Sequence, residues 1–260
     1  MREIARQLRG WRSAGHPFAV AMVVGVRGSA PRQPGAAMAV NDAGSVVGSV
    51  SGGCVEGAVY ELACEVLRDG EPRLATYGIS DGDAFAVGLT CGGVIDILVL
   101  PGGAEVMGAV VDALVEGRPV AWATVIGGGG LGRGLAVFTD GVVGSFGVEG
   151  LDAAVVDDGQ GMLAQGATGT RHYGAGGERR RDDVAVFVQS FRPAPRMLVF
   201  GAIDFAAAVT RVGALLGYRV TVCDARAVFA TRQRFPDADE VVCEWPAKYL
   251  ARTKVDATTV

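Results

Sequence analysis

The sequence predicts an α/β protein in which a duplicated mixed α/β domain, residues 1–193, precedes a partial Rossmann-like β-α-β domain, residues 194–260. Three observations carry that expectation. Short segments of the first hundred residues return in the same order in the second hundred. The stretch Arg192-Pro193-Ala194-Pro195-Arg196 then reads as an extended linker, because proline pushes the preceding residue out of the helical region. Beyond it come an apolar strand, a glycine turn, a helix and a second apolar strand ending on an acid, the opening of a Rossmann unit.

The repeat can be followed residue by residue. Gly15-His16-Pro17-Phe18-Ala19-Val20-Ala21-Met22-Val23-Val24-Gly25 returns as Gly117-Arg118-Pro119-Val120-Ala121-Trp122-Ala123-Thr124-Val125-Ile126-Gly127. Val46-Val47-Gly48-Ser49-Val50 returns as Val142-Val143-Gly144-Ser145-Phe146, and Thr76-Tyr77-Gly78 as His172-Tyr173-Gly174. The apolar run 94–101 matches 183–193 loosely. Each copy reads helix, strand, loop, strand, turn, strand, helix, strand, strand. Copy one covers about 2–101 and copy two about 104–193, packed as one domain. Met1 to Leu8 form an amphipathic helix, and Val55, Val59, Leu62, Val66 and Leu67 mark the apolar face of another.

Composition narrows the function classes. The chain has 260 residues, 50% of them hydrophobic and 40 of them glycine, as expected of a turn-rich, Ala/Val-packed α/β protein. No apolar run nears the ~18 residues that a membrane span needs. The five cysteines lie singly and no secretory segment opens the chain, which predicts a reduced, cytoplasmic setting without disulfides. A net charge of −4 argues against non-specific nucleic-acid binding. With only His16 and His172, a His-based metal site or a Ser/His/Asp triad is not expected.

The chemistry gathers at Gly48-Ser49-Val50-Ser51-Gly52-Gly53-Cys54-Val55-Glu56, a strand turning through two glycines into a helix. Gly52 and Gly53 let backbone N–H groups approach a ligand closely, and a helix start suits an anion or phosphate. Cys54 shares that turn, where the positive helix end favours thiolate. The alternative is a small buried cysteine beside a tight turn. Glu56 in the first helical turn reads most simply as a favourable charge at the dipole.

The copies differ around this turn. Copy one carries Arg27-Gly28-Ser29-Ala30-Pro31-Arg32-Gln33-Pro34-Gly35 where copy two has the shorter 127–134. Cys54 falls opposite Gly150 and Glu56 opposite Asp152, while Gly88-Leu89-Thr90-Cys91-Gly92-Gly93 has no counterpart. Copy one is therefore expected to keep the site and copy two to serve as scaffold. Arg32 reads either as a guanidinium fork for phosphate or as a solvated loop residue. Gly127-x-Gly129-x-x-Gly132 fits a dinucleotide fingerprint, but a strand follows it, so it reads as a hairpin loop.

In the last domain Gly201 opens the turn and Asp224 ends the second strand, where an acid can meet a ribose hydroxyl. Ile203 and Asp204 stand where a pyrophosphate must approach, which weighs against NAD(P). Residues 255–260 read as the beginning of another strand, so the domain is a fragment or is completed by a partner.

Gly28-Ser29-Ala30-Pro31-Arg32, Ser51-Gly52-Gly53-Cys54-Val55-Glu56 and Cys91-Gly92-Gly93 resemble the XdhC/CoxI family, with weaker matches in Asp224-Ala225-Arg226, Phe229-Ala230 and the stretch 234–239. The resemblance implies an accessory protein of xanthine dehydrogenase-type or carbon monoxide dehydrogenase-type hydroxylases. Such a protein binds molybdenum cofactor, protects it while its terminal sulfur is installed and helps deliver it to the client. Dimerisation and work with a cysteine desulfurase are further implications. Carried onto this chain, the cofactor-binding set is Gly28, Ser29, Arg32, Ser51, Gly52, Gly53, Cys54, Glu56, Cys91, Gly92 and Gly93, with Cys54 and Cys91 as soft metal ligands facing one cleft. The chain departs from the family at Gly201-Ala202-Ile203-Asp204, where a Gly-Ala-Gly-His turn is usual, and the later strand with its Thr-His-Asp motif does not follow Val260. The rival expectation is an NAD(P)-dependent oxidoreductase using Gly201 and Asp224. No residue is assigned a catalytic role, which favours a cofactor chaperone over a turnover enzyme.

Overall fold

The ten residues Phe18–Arg27 form β1, and their side chains alternate between two apolar clusters: Phe18, Val20, Met22 and Val24 enter one, Ala19, Ala21 and Val23 the other. β1 pairs antiparallel with β2 (Ala37–Asn41) and β5 (Val94–Pro101). β3 (Val46–Gly48) adds outside β2, and β4 (Arg73–Tyr77) outside β5. The structure is a computed structural model that describes residues 1–78, 92–255 and 258–260. It divides into two units, Met1–Arg192 and Pro193–Val260.

In the first unit, α1 (Ala5–Ser13) precedes β1, and α2 (Glu56–Asp69) joins β3 to β4. The series then recurs as α3 (Glu105–Glu116), β6 (Val120–Gly127), β7 (Gly134–Val137), β8 (Val142–Gly144), α4 (Glu149–Gln165), β9 (Gly169–Tyr173) and β10 (Val184–Phe191). Among the described residues the sheets run β3-β2-β1-β5-β4 and β8-β7-β6-β10-β9, the same order twice. The likeness extends to single hydrogen bonds. Gly35 N–H donates to the Val23 carbonyl at 2.7 Å, and Gly132 N–H to the Val125 carbonyl at 2.9 Å.

One apolar cluster holds side chains of α1 and α3, among them Leu8, Trp11, Met107 and Val110, against Met22, Trp122 and Phe187 from the two sheets. The opposite face of the first sheet packs under α2 through Val59, Ala63 and Val66. The opposite face of the second packs under α4 through Leu151, Val155 and Met162. Leu62 and Leu67, expected on the apolar face of α2, are half-buried at its edge.

Strand direction decides where the loops of interest lie. Arg27 at the end of β1 stands opposite Val94 at the start of β5, and Tyr77 at the end of β4 stands opposite Ile95. β3 runs toward the same end of the sheet, leaving at Gly48 opposite Met38. The segments after residues 27, 48 and 77 therefore emerge at one end of the first sheet.

In the second unit β11 (Arg196–Phe200), α5 (Asp204–Leu215), β12 (Arg219–Asp224), β13 (Glu240–Cys243) and α6 (Pro246–Arg252) follow in order, with β11, β12 and β13 parallel. Residues 258–260 lie along the other flank of β11: Leu198 N–H donates to the Val260 carbonyl at 2.8 Å, and Val260 N–H to the Arg196 carbonyl at 2.9 Å. A fourth strand position beside the first, on the side away from the second, is the Rossmann order. It agrees with the reading of these residues as a strand beginning.

Candidate functional site

Residues 49–55, between β3 and α2, are not helical, and Gly52 and Gly53 take left-handed φ values of 77° and 117°. This curls successive N–H groups toward one point, as in the anion-binding concavities made by turn backbones. The anion there is the chain's own. Glu56 Oε1 accepts the N–H groups of Val50, Ser51 and Gly52 at 3.2, 2.9 and 2.9 Å and the Ser49 hydroxyl at 2.7 Å. Its Oε2 accepts the Gly53 N–H at 2.7 Å and the Ser51 hydroxyl. Burial pushes the Glu56 pKa up, but these bonds outweigh it and hold the carboxylate at about 2.

This corrects one expectation. The donors of Gly52 and Gly53, read from the sequence as open to a phosphate, are taken by Glu56. The reason is local: a glutamate at the first helical position reaches back over the turn, as in a capping box. Copy two keeps a reduced form of the device. Asp152 Oδ1 accepts the Phe146 N–H at 2.7 Å, and its Oδ2 the Ser145 hydroxyl at 2.5 Å. There the helix begins at Glu149, so the residues opposite 53–55 are helical. Copy one leaves that turn unwound and places Cys54 on it.

Cys54 is half-buried and packs, with Val26, Ala30 and Tyr77, against the cluster beneath α2. Among the described residues, a Cβ placed on Gly52 or Gly53 would meet nothing within 4 Å, and both glycines are exposed, which leaves this side of the turn open to an incoming group. At the same end of the sheet, Gly28 turns with φ 73° and brings the Ser29 carbonyl against Gly93, where an added Cβ would lie 1.9 Å from that oxygen. The structure thus joins Gly28 and Ser29 to Gly92 and Gly93. Cys91 lies outside the described residues, and with it the expected cleft shared by Cys54 and Cys91.

Arg32 stands apart from that junction. It pairs with Glu3 at 3.2 Å and borders a cavity of about 420 Å³ with Met1, Gln33 and Gln189. Gln189 Nε2 donates to the Gly35 carbonyl at 3.0 Å, so the second half of the loop faces copy two. His16 precedes β1 and pairs with Asp42 at 2.9 Å, at the far end of the strand from Arg27. Among the described residues, no group of three or more His, Cys, Asp or Glu is set to hold a metal, and no helix is long and apolar enough to cross a membrane.

Sequence reasoning missed a cluster beside this junction. Arg27 Nη1 donates to Asp96 Oδ2 at 2.6 Å and Nη2 to Oδ1 at 3.1 Å, while the Thr76 hydroxyl donates to Oδ1 at 2.7 Å. The signal was present: Asp96 is a lone acid within the apolar run Val94–Pro101.

The second unit corrects another expectation. Asp224 is buried, and its carboxylate accepts the Ala202 N–H at 2.7 Å, the Arg226 N–H at 2.8 Å and the Arg226 side chain at 2.9 and 2.7 Å. The Arg226 guanidinium holds it well below the usual carboxylate range, helped by the two backbone bonds against the cost of burial. The acid expected at a ribose thus braces the Gly201 turn from within. Gly201 itself has φ 100°, and its N–H donates to the Cys223 carbonyl at 2.9 Å.

Known proteins fit this architecture. Residues 11–78 and 113–174 match the XdhC and CoxI family, and residues 197–260 match the XdhC Rossmann domain. Over 237 residues the chain is 26% identical to a probable xanthine dehydrogenase subunit of Bacillus subtilis (strain 168), covering 89% of this chain and 67% of that protein. Over 99 residues it is 37% identical to the molybdenum cofactor insertion chaperone PaoD of Escherichia coli (strain K12), covering 38% of this chain and 31% of PaoD. YqeB of the same organism is 41% identical over 83 residues, which are 32% of this chain and 15% of YqeB. A crystal structure of a Bacillus halodurans protein described as a xanthine dehydrogenase shares the fold, with TM-score 0.75 and 22% identity over 98% of this chain and 72% of that one. From the motifs at the end of the first sheet to the strand beside β11, the chain belongs to the XdhC and CoxI family.

Proposed function

We propose that the chain binds molybdenum cofactor at the end of its first sheet and delivers it to a xanthine dehydrogenase-type or carbon monoxide dehydrogenase-type hydroxylase. The observation that carries this reading is Cys54 on an unwound, open-faced turn that copy two replaces with helix. A duplicated ancestor whose second half became scaffold accounts for that asymmetry. The cofactor combines a flat pterin, a phosphate and a sulfur-ligated metal. An open glycine turn admits the flat part, and a cysteine sulfur suits a metal already bound by sulfur. Cys91 is the second sulfur of this proposal, on the segment that leads into Gly92 and Gly93.

The residues fit a carrier better than a catalyst. Glu56 is engaged by the turn it closes, and His16 lies at the opposite end of β1, so neither serves as a general base beside Cys54. The name of PaoD points to insertion, and the family assignment supports the same step for this chain. Protection of the cofactor while its terminal sulfur is installed, work with a cysteine desulfurase, a homodimeric state and a cytoplasmic location complete the proposal.

The test is transfer. Protein purified from a host that makes the cofactor is mixed with a cofactor-free client hydroxylase, and molybdopterin and molybdenum are followed from one to the other. Cofactor that enters with the chain and leaves with the client supports the reading. A chain that carries neither pterin nor metal, and does not speed client activation, defeats it.

A further inference from the structure

We propose that Arg27 is the anion-recognising side chain of this site, oriented by Asp96 and Thr76, and that it takes the phosphate of the bound cofactor. The assignment rests on the cofactor reading above. With the N–H groups of Val50, Ser51, Gly52 and Gly53 closed on Glu56, an arriving phosphate finds no open backbone cradle there. Arg27 stands at the root of the loop whose next residues, Gly28 and Ser29, pack on Gly93. Its side chain is 60% exposed, and the bonds to Asp96 use two of the five N–H donors of a guanidinium. The remaining edge presents a planar fork of the kind that pairs with phosphate.

Three strands cooperate to hold that fork still. Asp96 on β5 lies opposite Gly25 of β1 on one side and Thr76 of β4 on the other. A Cβ at Gly25 would sit 2.5 Å from Asp96 Oδ2, so the glycine leaves the space through which the carboxylate reaches Arg27. The register of β1 on β5 shifts between Val23 and Gly25, which sets Gly25 and not its neighbour opposite the acid.

Copy two separates a structural from a functional role. Gly127 stands where Gly25 does, and opposite it is Ala185, whose own partner on β9 is His172. Two residues beyond Gly127 the chain has Gly129 in place of Arg27. Copy two builds the equivalent end of its own sheet with no carboxylate at the position of Asp96 and no guanidinium at that of Arg27; His172, opposite Ala185, pairs there with Asp182 of the following loop instead. The trio is therefore not needed to form the sheet. It occurs in the copy that carries Cys54.

The test measures equilibrium binding of molybdopterin, quantified by pterin fluorescence, to wild type and to Arg27→Ala, Arg27→Lys and Asp96→Asn. Inorganic phosphate serves as competitor, and thermal unfolding is measured for each. The expectation is at least tenfold weaker binding in Arg27→Ala, partial recovery in Arg27→Lys and an intermediate loss in Asp96→Asn. Melting temperatures stay close to wild type, and phosphate competes with the cofactor in wild type but not in Arg27→Ala. Wild-type affinity and unchanged phosphate competition in Arg27→Ala overturn the assignment while leaving the cofactor reading intact. Failure of wild type itself to bind defeats both.

Discussion

The Ser49 hydroxyl donates to the Glu56 carboxylate at 2.7 Å, and the Ser145 hydroxyl meets Asp152 in the same way one copy later. The shared bond ties the strand exit to the helix start in both copies. The longer glutamate then collects the extra donors of the unwound turn. Glu56→Gln is expected to destabilise the protein by about 2 kcal/mol at neutral pH, since bonds to a charged acceptor are replaced by weaker and mismatched ones. A carboxylate lowered from 4.5 to about 2 contributes stability that is present above pH 4.5 and lost as pH falls through 2. The gap between wild type and variant in urea denaturation should therefore be full at pH 5 to 7 and close toward pH ~2. A gap that does not change with pH would remove the charge from the explanation.

Gly48 and Gly52 separate steric crowding from backbone strain. Both have left-handed φ values, 81° and 77°, but a Cβ on Gly48 would lie 2.3 Å from the Ala37 carbonyl oxygen, whereas one on Gly52 meets nothing within 4 Å among the described residues. Gly52→Ala should cost about 1–2 kcal/mol, the price of left-handed backbone alone. Gly48→Ala adds the clash and should cost several kcal/mol, on the order of 4 or more. Denaturant unfolding of the two variants side by side checks the order, and equal losses would contradict it.

Much of the fold was legible in the sequence because it rests on repeated local signals. The recurrence of Gly-x-Pro before an apolar run, and of Val-Val-Gly-Ser before a helix, gave the element order of both copies. The parallel opening of the second unit was readable for the same reason: its first two strands are short, mostly apolar segments bounded by Gly201, Gly217 and Asp224. What escaped was side-chain direction. Nothing in the spacing of Gly53 and Glu56 says that the carboxylate folds back over the glycines and does not face solvent. Nor does the position of Asp224 reveal that Ala202 and Arg226 claim it. Arg27, Thr76 and Asp96 lie on three strands far apart in sequence, and only sheet order β1-β5-β4 makes them neighbours.

Asp224 gives a third prediction. Its carboxylate joins the Gly201–Ala202 turn to Arg226, and the residue is 5% exposed. Asp224→Asn should lower the stability of the second unit by about 2 kcal/mol by leaving a charged partner imperfectly matched. Calorimetric titration with NAD or NADP should give no heat of binding for wild type or variant. Micromolar binding by wild type that disappears in Asp224→Asn would restore the ribose role that the geometry assigns elsewhere.

Whether the unwound turn of copy one holds molybdenum cofactor through Cys54 is decided by the molybdopterin retained per chain in Cys54→Ser against wild type. Serine preserves the size of the side chain and removes the soft sulfur. The expected outcome is an unchanged melting temperature and a fall in retained molybdopterin of about tenfold, equivalent to ~1.4 kcal/mol of binding. Retention equal to wild type in a folded Cys54→Ser chain would contradict the assignment of Cys54 to the cofactor.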